Sequence, residues 1–220
     1  MNDEPLDDDA LRALAIFPLP GTVWFPGTPL ALHVFEPRYR ALTADALAGS
    51  RAFAVPLLEP GFEEDYDGTP PVRPIAGAGR IVQEQALPGG RWNLLLTGVC
   101  RVRLEEETRA VPYRVARASA IPDAYPTGGP DALRSEVATL LSAVASVVSA
   151  LRDSDAHYSL GVAASMPPGR LADVIAHRLI AEPDARQEVL EAIDVRERIA
   201  LVTRAVSARL AALPQRGTLQ

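Results

Sequence analysis

A chain of 220 residues, 48% apolar, can bury a sizeable core and has room for one large domain or two small ones. Its formal charge of −6 argues against a nucleic-acid footprint, which needs a clustered basic face. All 22 basic residues are arginine, and without lysine these residues hold neither a Ser-Lys dyad nor the G-x-x-x-x-G-K-[ST] loop that cradles nucleotide phosphates.

Asp3, Glu4, Asp7, Asp8 and Asp9 make residues 1–12 read as a disordered acidic tail. Ala13–Phe17 predicts a first strand, ended by Pro18, Pro20 and Gly21, and Leu30–Val34 a second. Glu36–Ala48 reads as a short helix with Pro37 in its first turn, where a missing N–H costs nothing. Tyr39, Leu42, Ala46 and Leu47 share one face of it, suited to plugging the end of a sheet.

Phe53–Leu58 predicts a third strand, followed by an acidic loop over Glu59–Pro74 whose length marks it as functional or disordered. Ile75–Leu87 and Trp92–Leu96 read as a hairpin across Pro88-Gly89-Gly90. Gly77-Ala78-Gly79 within the first of these fits a bulge or tight bend better than a phosphate loop, because no third glycine opens a helix. Val99–Leu104 and Tyr113–Ile121 alternate as half-buried strands, completing a mainly antiparallel barrel or sandwich.

Pro122–Pro130 reads as a linker, after which the apolar period changes from two to 3.6. Leu133, Val137, Leu140, Leu141, Val144, Val147, Val148 and Leu151 form one wide helical stripe. Further helices are predicted over Leu171–Ile180, Asp184–Ile193 and Val195 to about Leu213, with Asp194 and Glu197 as a capping pair for the last. The organisation expected is α+β: an acidic tail at 1–12, a β domain at 13–121, a linker at 122–130, about four helices at 131–213 and a flexible tail at 214–220.

The chemistry-bearing residues are sparse. Three histidines, His33, His157 and His177, are too few and too isolated for an H-E-x-x-H metal site; His33 reads as a core or edge residue and His177 as helix packing. Cys100 lies in the apolar run Leu94–Val102 and is expected to be a buried, inert thiol. One cysteine allows no internal disulfide, no window of 18 uninterrupted apolar residues occurs, and the start is acidic instead of basic and apolar. These features predict a cytoplasmic protein without metal, cofactor or catalytic residues.

The stretch Ile16–Tyr39, with its Pro-Leu-Pro-Gly and Phe-Glu-Pro-Arg-Tyr groups, resembles the opening of the Lon protease N-terminal, substrate-binding domain family, in the form that carries this domain alone. Arg170–His177, Gln187–Glu191 and Asp194–Arg198 are similar in order and spacing to the end of that domain, so the likeness runs from about Ala13 to about Leu213. One departure is Ala31, where the family commonly has proline. The resemblance implies a PUA-like β domain followed by a helical bundle, and a protein- or peptide-binding role with no catalytic residues to transfer.

The expected function is a non-enzymatic module that binds exposed or unfolded segments of other proteins. Trp24, Phe25, Arg38, Tyr39, Phe62 and Tyr66 are the candidate peptide-binding surface, since aromatic residues and arginine dominate protein-binding hot spots, although Trp24, Phe25 and Tyr39 each read first as core when taken alone. Two alternatives are an adaptor or regulator of a full-length Lon protease, and an RNA-binding protein of PUA-like fold, the latter disfavoured by the acidic charge.

Overall fold

The computed structural model describes residues 4–152, 160–163 and 165–212. The chain divides into two compact units, Met1–Pro122 and Asp123–Gln220. His157, Leu213 and the tail expected at 214–220 lie outside the described residues.

The first unit is built on strands β1 (Leu14–Ala15), β2 (Pro29–Val34), β3 (Ala52–Val55), β4 (Ile75–Leu87), β5 (Arg91–Arg109) and β6 (Val115–Ile121). They pair antiparallel in the order β1-β6-β5-β4-β3. Ile16 and Ala54 then pair in parallel, with the Phe17 N–H donating to Ala54 O at 2.8 Å and the Leu19 N–H to Pro56 O at 3.1 Å. The five strands thus close on themselves, which covers the edges an open sheet would expose wherever the neighbouring strand extends far enough.

β5 is one strand of 19 residues where the sequence predicts two, at Trp92–Leu96 and Val99–Leu104. The broken period between them is absorbed by register shifts at Ala78/Gly79 and Ile81/Gln83 in the pairing with β4. The first of these shifts falls within Gly77-Ala78-Gly79, and glycine there is a steric requirement. A Cβ on Gly77 would stand 1.8 Å from Trp24 O, and one on Gly79 would stand 2.0 Å from Thr97 O and 2.6 Å from Trp24 Cη2.

Helix α2 (Pro37–Ala48) begins at Glu36 and buries Tyr39, Leu42 and Ala46 in the larger apolar cluster with Phe17, Trp24 and Phe53. Each such large side chain, fully buried, contributes about 1.5–3 kcal/mol of transfer free energy.

The disordered acidic tail expected at 1–12 is corrected over its described part. Asp8–Arg12 form helix α1, capped by Asp7, whose carboxylate accepts from the Ala10 N–H at 2.7 Å. Leu6 and Leu11 are buried in a second apolar cluster with Leu14, Ala116 and Ala118. Arg80 fastens the approach by donating to Glu4 O at 2.6 Å and Pro5 O at 3.0 Å. Two leucines among the acids outweigh the charge pattern, because acids in the first turn of a helix are stabilised by its dipole.

The second unit holds α3 (Arg134–Arg152), α4 (Pro168–Leu179), α5 (Pro183–Glu191) and α6 (Val195–Ala212). From Asp123 on, the residues of the expected linker at 122–130 fall within this unit: Ala124 exchanges backbone bonds with Ile193 and Val195, and Gly129–Leu133 form a short 3-10 turn. Asp194 caps α6 as its spacing predicts, accepting from the N–H groups of Arg196 and Glu197 at 2.8 and 3.2 Å. Gly129–Leu151 is long and apolar enough by composition to cross a membrane. Within this unit it buries Leu133, Leu140, Val144 and Val147 and exposes Ser135, Thr139, Ser142 and Ser146, the pattern of an amphipathic bundle helix.

Arg198 ties the unit together from a fully buried position. Its guanidinium donates to Ala192 O at 2.9 Å and Asp123 Oδ1 at 2.8 Å, with Asp173 3.7 Å away. A buried arginine is tolerated when its five donors meet fixed acceptors in this way.

Candidate functional site

Residues 59–74 form a closed excursion. The Glu59 N–H donates to Pro71 O and the Arg73 N–H to Leu57 O, tying its base. At its tip Gly61, at φ +87°, opens a 3-10 turn over Phe62–Asp65, which positions Tyr66. The loop turns back onto the start of α2 because three side chains clasp it. Arg38 donates through Nη1 to Tyr66 O at 2.9 Å and through Nε to Glu36 Oε2 at 3.0 Å. The Tyr66 hydroxyl donates to Glu36 Oε1 at 3.0 Å. Arg114 donates to Pro70 O at 2.8 Å and forms a two-pronged pair with Glu107.

The Arg38 guanidinium lies 4.7 Å from the Tyr39 ring centre and 4.9 Å from that of Tyr66, a stacked sandwich of the kind that holds planar cations on aromatic faces. Phe62 leans on Tyr66 with ring centres 6.1 Å apart. Tyr39 itself is buried and stacks on Phe17 at 3.8 Å, and burial pushes its hydroxyl up to about 12.

Beside this clasp opens a cleft of about 240 Å³. Ile16, Pro18, Arg38 and Tyr39 form one wall, Asp67 and Gly68 belong to the loop, and Ala110 to Arg114 form the other wall. Val111, 79% exposed, stands at its lip, followed by the cis Val111–Pro112 peptide. Tyr113 is pinned by its hydroxyl to Asp45 Oδ2 at 2.6 Å and by the Arg109 guanidinium over its ring at 4.3 Å. The arginines in the lining have carboxylate and carbonyl partners within the protein, so the cleft presents a mixture of polar and apolar surface without free positive charge.

Of the six candidate surface residues, the structure brings Arg38, Tyr39, Phe62 and Tyr66 together. Trp24, Phe25 and Tyr39 are corrected as surface residues: Trp24 and Phe25 are fully buried, Tyr39 is 4% exposed, and the Trp24 indole donates to Thr28 O at 3.0 Å. The space vacated by the missing side chains of Gly77 and Gly79 is what the Trp24 backbone and ring occupy. Sequence reasoning missed Glu36, Glu107, Val111 and Arg114. An apolar Val-Pro pair between an acidic strand and Tyr113 is the one local signal for that wall.

The remaining reactive groups are quiet. Burial raises the Cys100 thiol to about 11, above the range of a nucleophilic thiolate. His33 bonds Asn93 Oδ1 at 2.8 Å on the outer sheet face, and His177 lies in α4 with its Nδ1 3.3 Å from Arg186 Nη2.

Residues 13–208 match the family model for the ATP-dependent protease La (LON) substrate-binding domain. The chain is similar to Lon protease 2 of Myxococcus xanthus, 28% identical over 204 residues, and to the Lon protease of Roseiflexus castenholzii, 30% identical over 196. These alignments cover 89% and 87% of this chain and 23% of each relative, so the chain spans about a quarter of the length of the curated relatives it matches. Its fold is that of the N-terminal domain of Mycobacterium avium complex Lon protease, with a TM-score of 0.66 at 16% identity, covering 89% of this chain and 98% of the other. A Lon N-terminal domain protein from Xanthomonas campestris matches with a TM-score of 0.56 at 21% identity over 92% of this chain and 99% of that one. The PUA-like β domain with following helices is accordingly the Lon N-terminal fold, and the chain belongs to the Lon substrate-binding domain family.

Proposed function

We propose that this chain is a non-enzymatic protein-recognition module, and that the cleft between the 59–74 loop and Ala110–Arg114 takes an apolar side chain from an exposed or unfolded segment of another protein. The observation that carries this reading is the cleft itself: a hollow of mixed polar and apolar lining, floored by Ile16, Tyr39 and Tyr113 and with the exposed Val111 beside it, on a domain of the substrate-binding family. Hollows of this kind suit an inserted anchor side chain. Because Arg38 and Arg114 are engaged by Glu36 and Glu107, the lining suits a neutral anchor better than a phosphate, which also counts against RNA. A lone, half-buried thiol and an acidic composition suit a cytoplasmic setting.

Calorimetric titration with reduced, carboxymethylated α-lactalbumin tests the reading. Saturable binding is expected, weakened at least tenfold by Val111→Asp in a protein that still melts normally. Absence of saturable binding to the unchanged protein would sink it. A second reading is favoured by the Lon likeness: the module competes with, or delivers clients to, a full-length Lon protease. Altered client degradation on adding this chain to intact protease separates that role from simple holding.

A further inference from the structure

Each strand of the closed circuit has a neighbour on both sides over at least part of its length, but β2 has one along one side only. It pairs only with the first half of β5, from Pro29↔Thr97 to Val34↔Trp92, on the side that β6 occupies further along. Among the described residues no backbone hydrogen bond reaches Pro29–Val34 from any other element. The Gly98 N–H donates to Thr28 O at 2.9 Å, and the register continues from there without a shift. Antiparallel bonding alternates, so Leu30, Leu32 and Val34 face β5 with their backbone groups, while Ala31 and His33 direct theirs outward.

An exposed edge is normally blunted by charge, proline or a bulge. Here Pro29 guards one end alone. No charged residue occurs from Pro29 to Phe35, and the pairing carries no bulge. Past the other end Phe35 is 60% exposed, stacked on His33 at 6.1 Å.

We infer that the outer edge of β2 accepts an extended, uncharged segment of an unfolded polypeptide as an added strand, with Phe35 as its side-chain anchor. Resting on the recognition reading above, this names the form in which a client is held: main-chain bonds to Ala31 and His33 give sequence-tolerant affinity, and Phe35 selects an apolar neighbour. The neutral edge matches an uncharged segment. Six residues offer only about 20 Å of edge. That falls well short of the roughly 800 Å² per partner of a stable interface between two folded copies, whereas a flexible chain can pair here and continue over other surface.

The test uses the whole chain with reduced, carboxymethylated α-lactalbumin as probe, read by calorimetry and residue-resolved amide exchange. In the free protein the Ala31 and His33 amides should exchange at least tenfold faster than that of Leu32, and saturating probe should slow both at least tenfold. Ala31→Pro, which removes an outward donor and leaves the β5 ladder intact, and Phe35→Glu should each weaken binding tenfold or more. Amide exchange carries the test if either variant misfolds. Probe binding that leaves the Ala31 and His33 amides unprotected would overturn the edge proposal while the recognition reading stands. Protection that rises with protein concentration and no probe would overturn it in favour of self-pairing. Failure of the unchanged protein to bind the probe at all would count against the recognition reading itself.

Discussion

The Tyr66 hydroxyl donates to the carboxylate of Glu36, 30 residues earlier, and so fastens the 59–74 loop to the first turn of α2. Arg38 holds the same carboxylate from the other side. Tyr66→Phe removes one bond to a charged acceptor and keeps the ring stacked on Arg38. The expected cost is about 1–2 kcal/mol, spent locally in loosening the loop more than in global unfolding. Faster amide exchange at Gly68 and Thr69, whose N–H groups bond Asp65, would report it.

Gly77→Ala is expected to damage the barrel severely. The new methyl would stand 1.8 Å from Trp24 O, a backbone atom that cannot swing aside. Overpacking against backbone costs about 3 kcal/mol or more, read as a fall in the urea midpoint. Gly61→Ala tests the contrast: its Cβ would meet nothing, and the loss there comes from the left-handed φ alone, about 1 kcal/mol.

Arg198→Met should destabilise the helical unit by about 3–5 kcal/mol, because Asp123 and the nearly inaccessible Asp173 would each lose the Arg198 charge. Arg198→Lys should recover little of this. An ammonium on a flexible stem cannot reach Ala192 O and Asp123 from one fixed plane. Thermal melts followed in the helical far-ultraviolet band measure both.

His177 makes the helical unit acid-sensitive. Burial, followed by the charges of Arg186 and Arg178, lowers its proton affinity from the ordinary 6.5 to about 4. The unfolded chain therefore takes up the proton first as pH falls. Stability from this residue is complete above pH 6.5 and is lost progressively from there down to about pH 4. The full shift would correspond to about 3 kcal/mol, and solvent screening of this half-buried ring brings the loss well below that. His177→Asn, which can still accept from Arg186, should flatten that part of the stability profile, as measured by urea unfolding at pH 7.5 and 4.5.

Much of the fold was legible because it is local. Pro37 after Glu36, Asp194 before Val195 and the stripe from Leu133 to Leu151 each mark their helix through short-range physics. The glycines of β4 read correctly as a bulge for the same reason. What the sequence hides is which side of a strand faces inward once the sheet has closed. Beside their prolines Trp24 and Phe25 can be read as core or as surface anchors, and only the approach of Gly77, Gly79 and Gly98 from distant strands fixes them as core. The cleft wall from Ala110 to Arg114 is equally non-local, being set against Arg38 by the closure of the barrel. Leu6 and Leu11 were masked by the acids around them.

The pairing of β1 with both β6 and β3 bears on how the first unit comes into being. Leu14 and Ala15 find Ala116 and Val115 about a hundred residues later, and Ile16 finds Ala54 within the first quarter of the chain. During synthesis the opening strand can dock early on β3, yet the ring cannot lock until β6 has left the ribosome. Contacts this distant in sequence slow barrier crossing. Until then an incomplete barrel exposes unpaired edges of its own, and the nascent module resembles the unfolded segments it is proposed to bind.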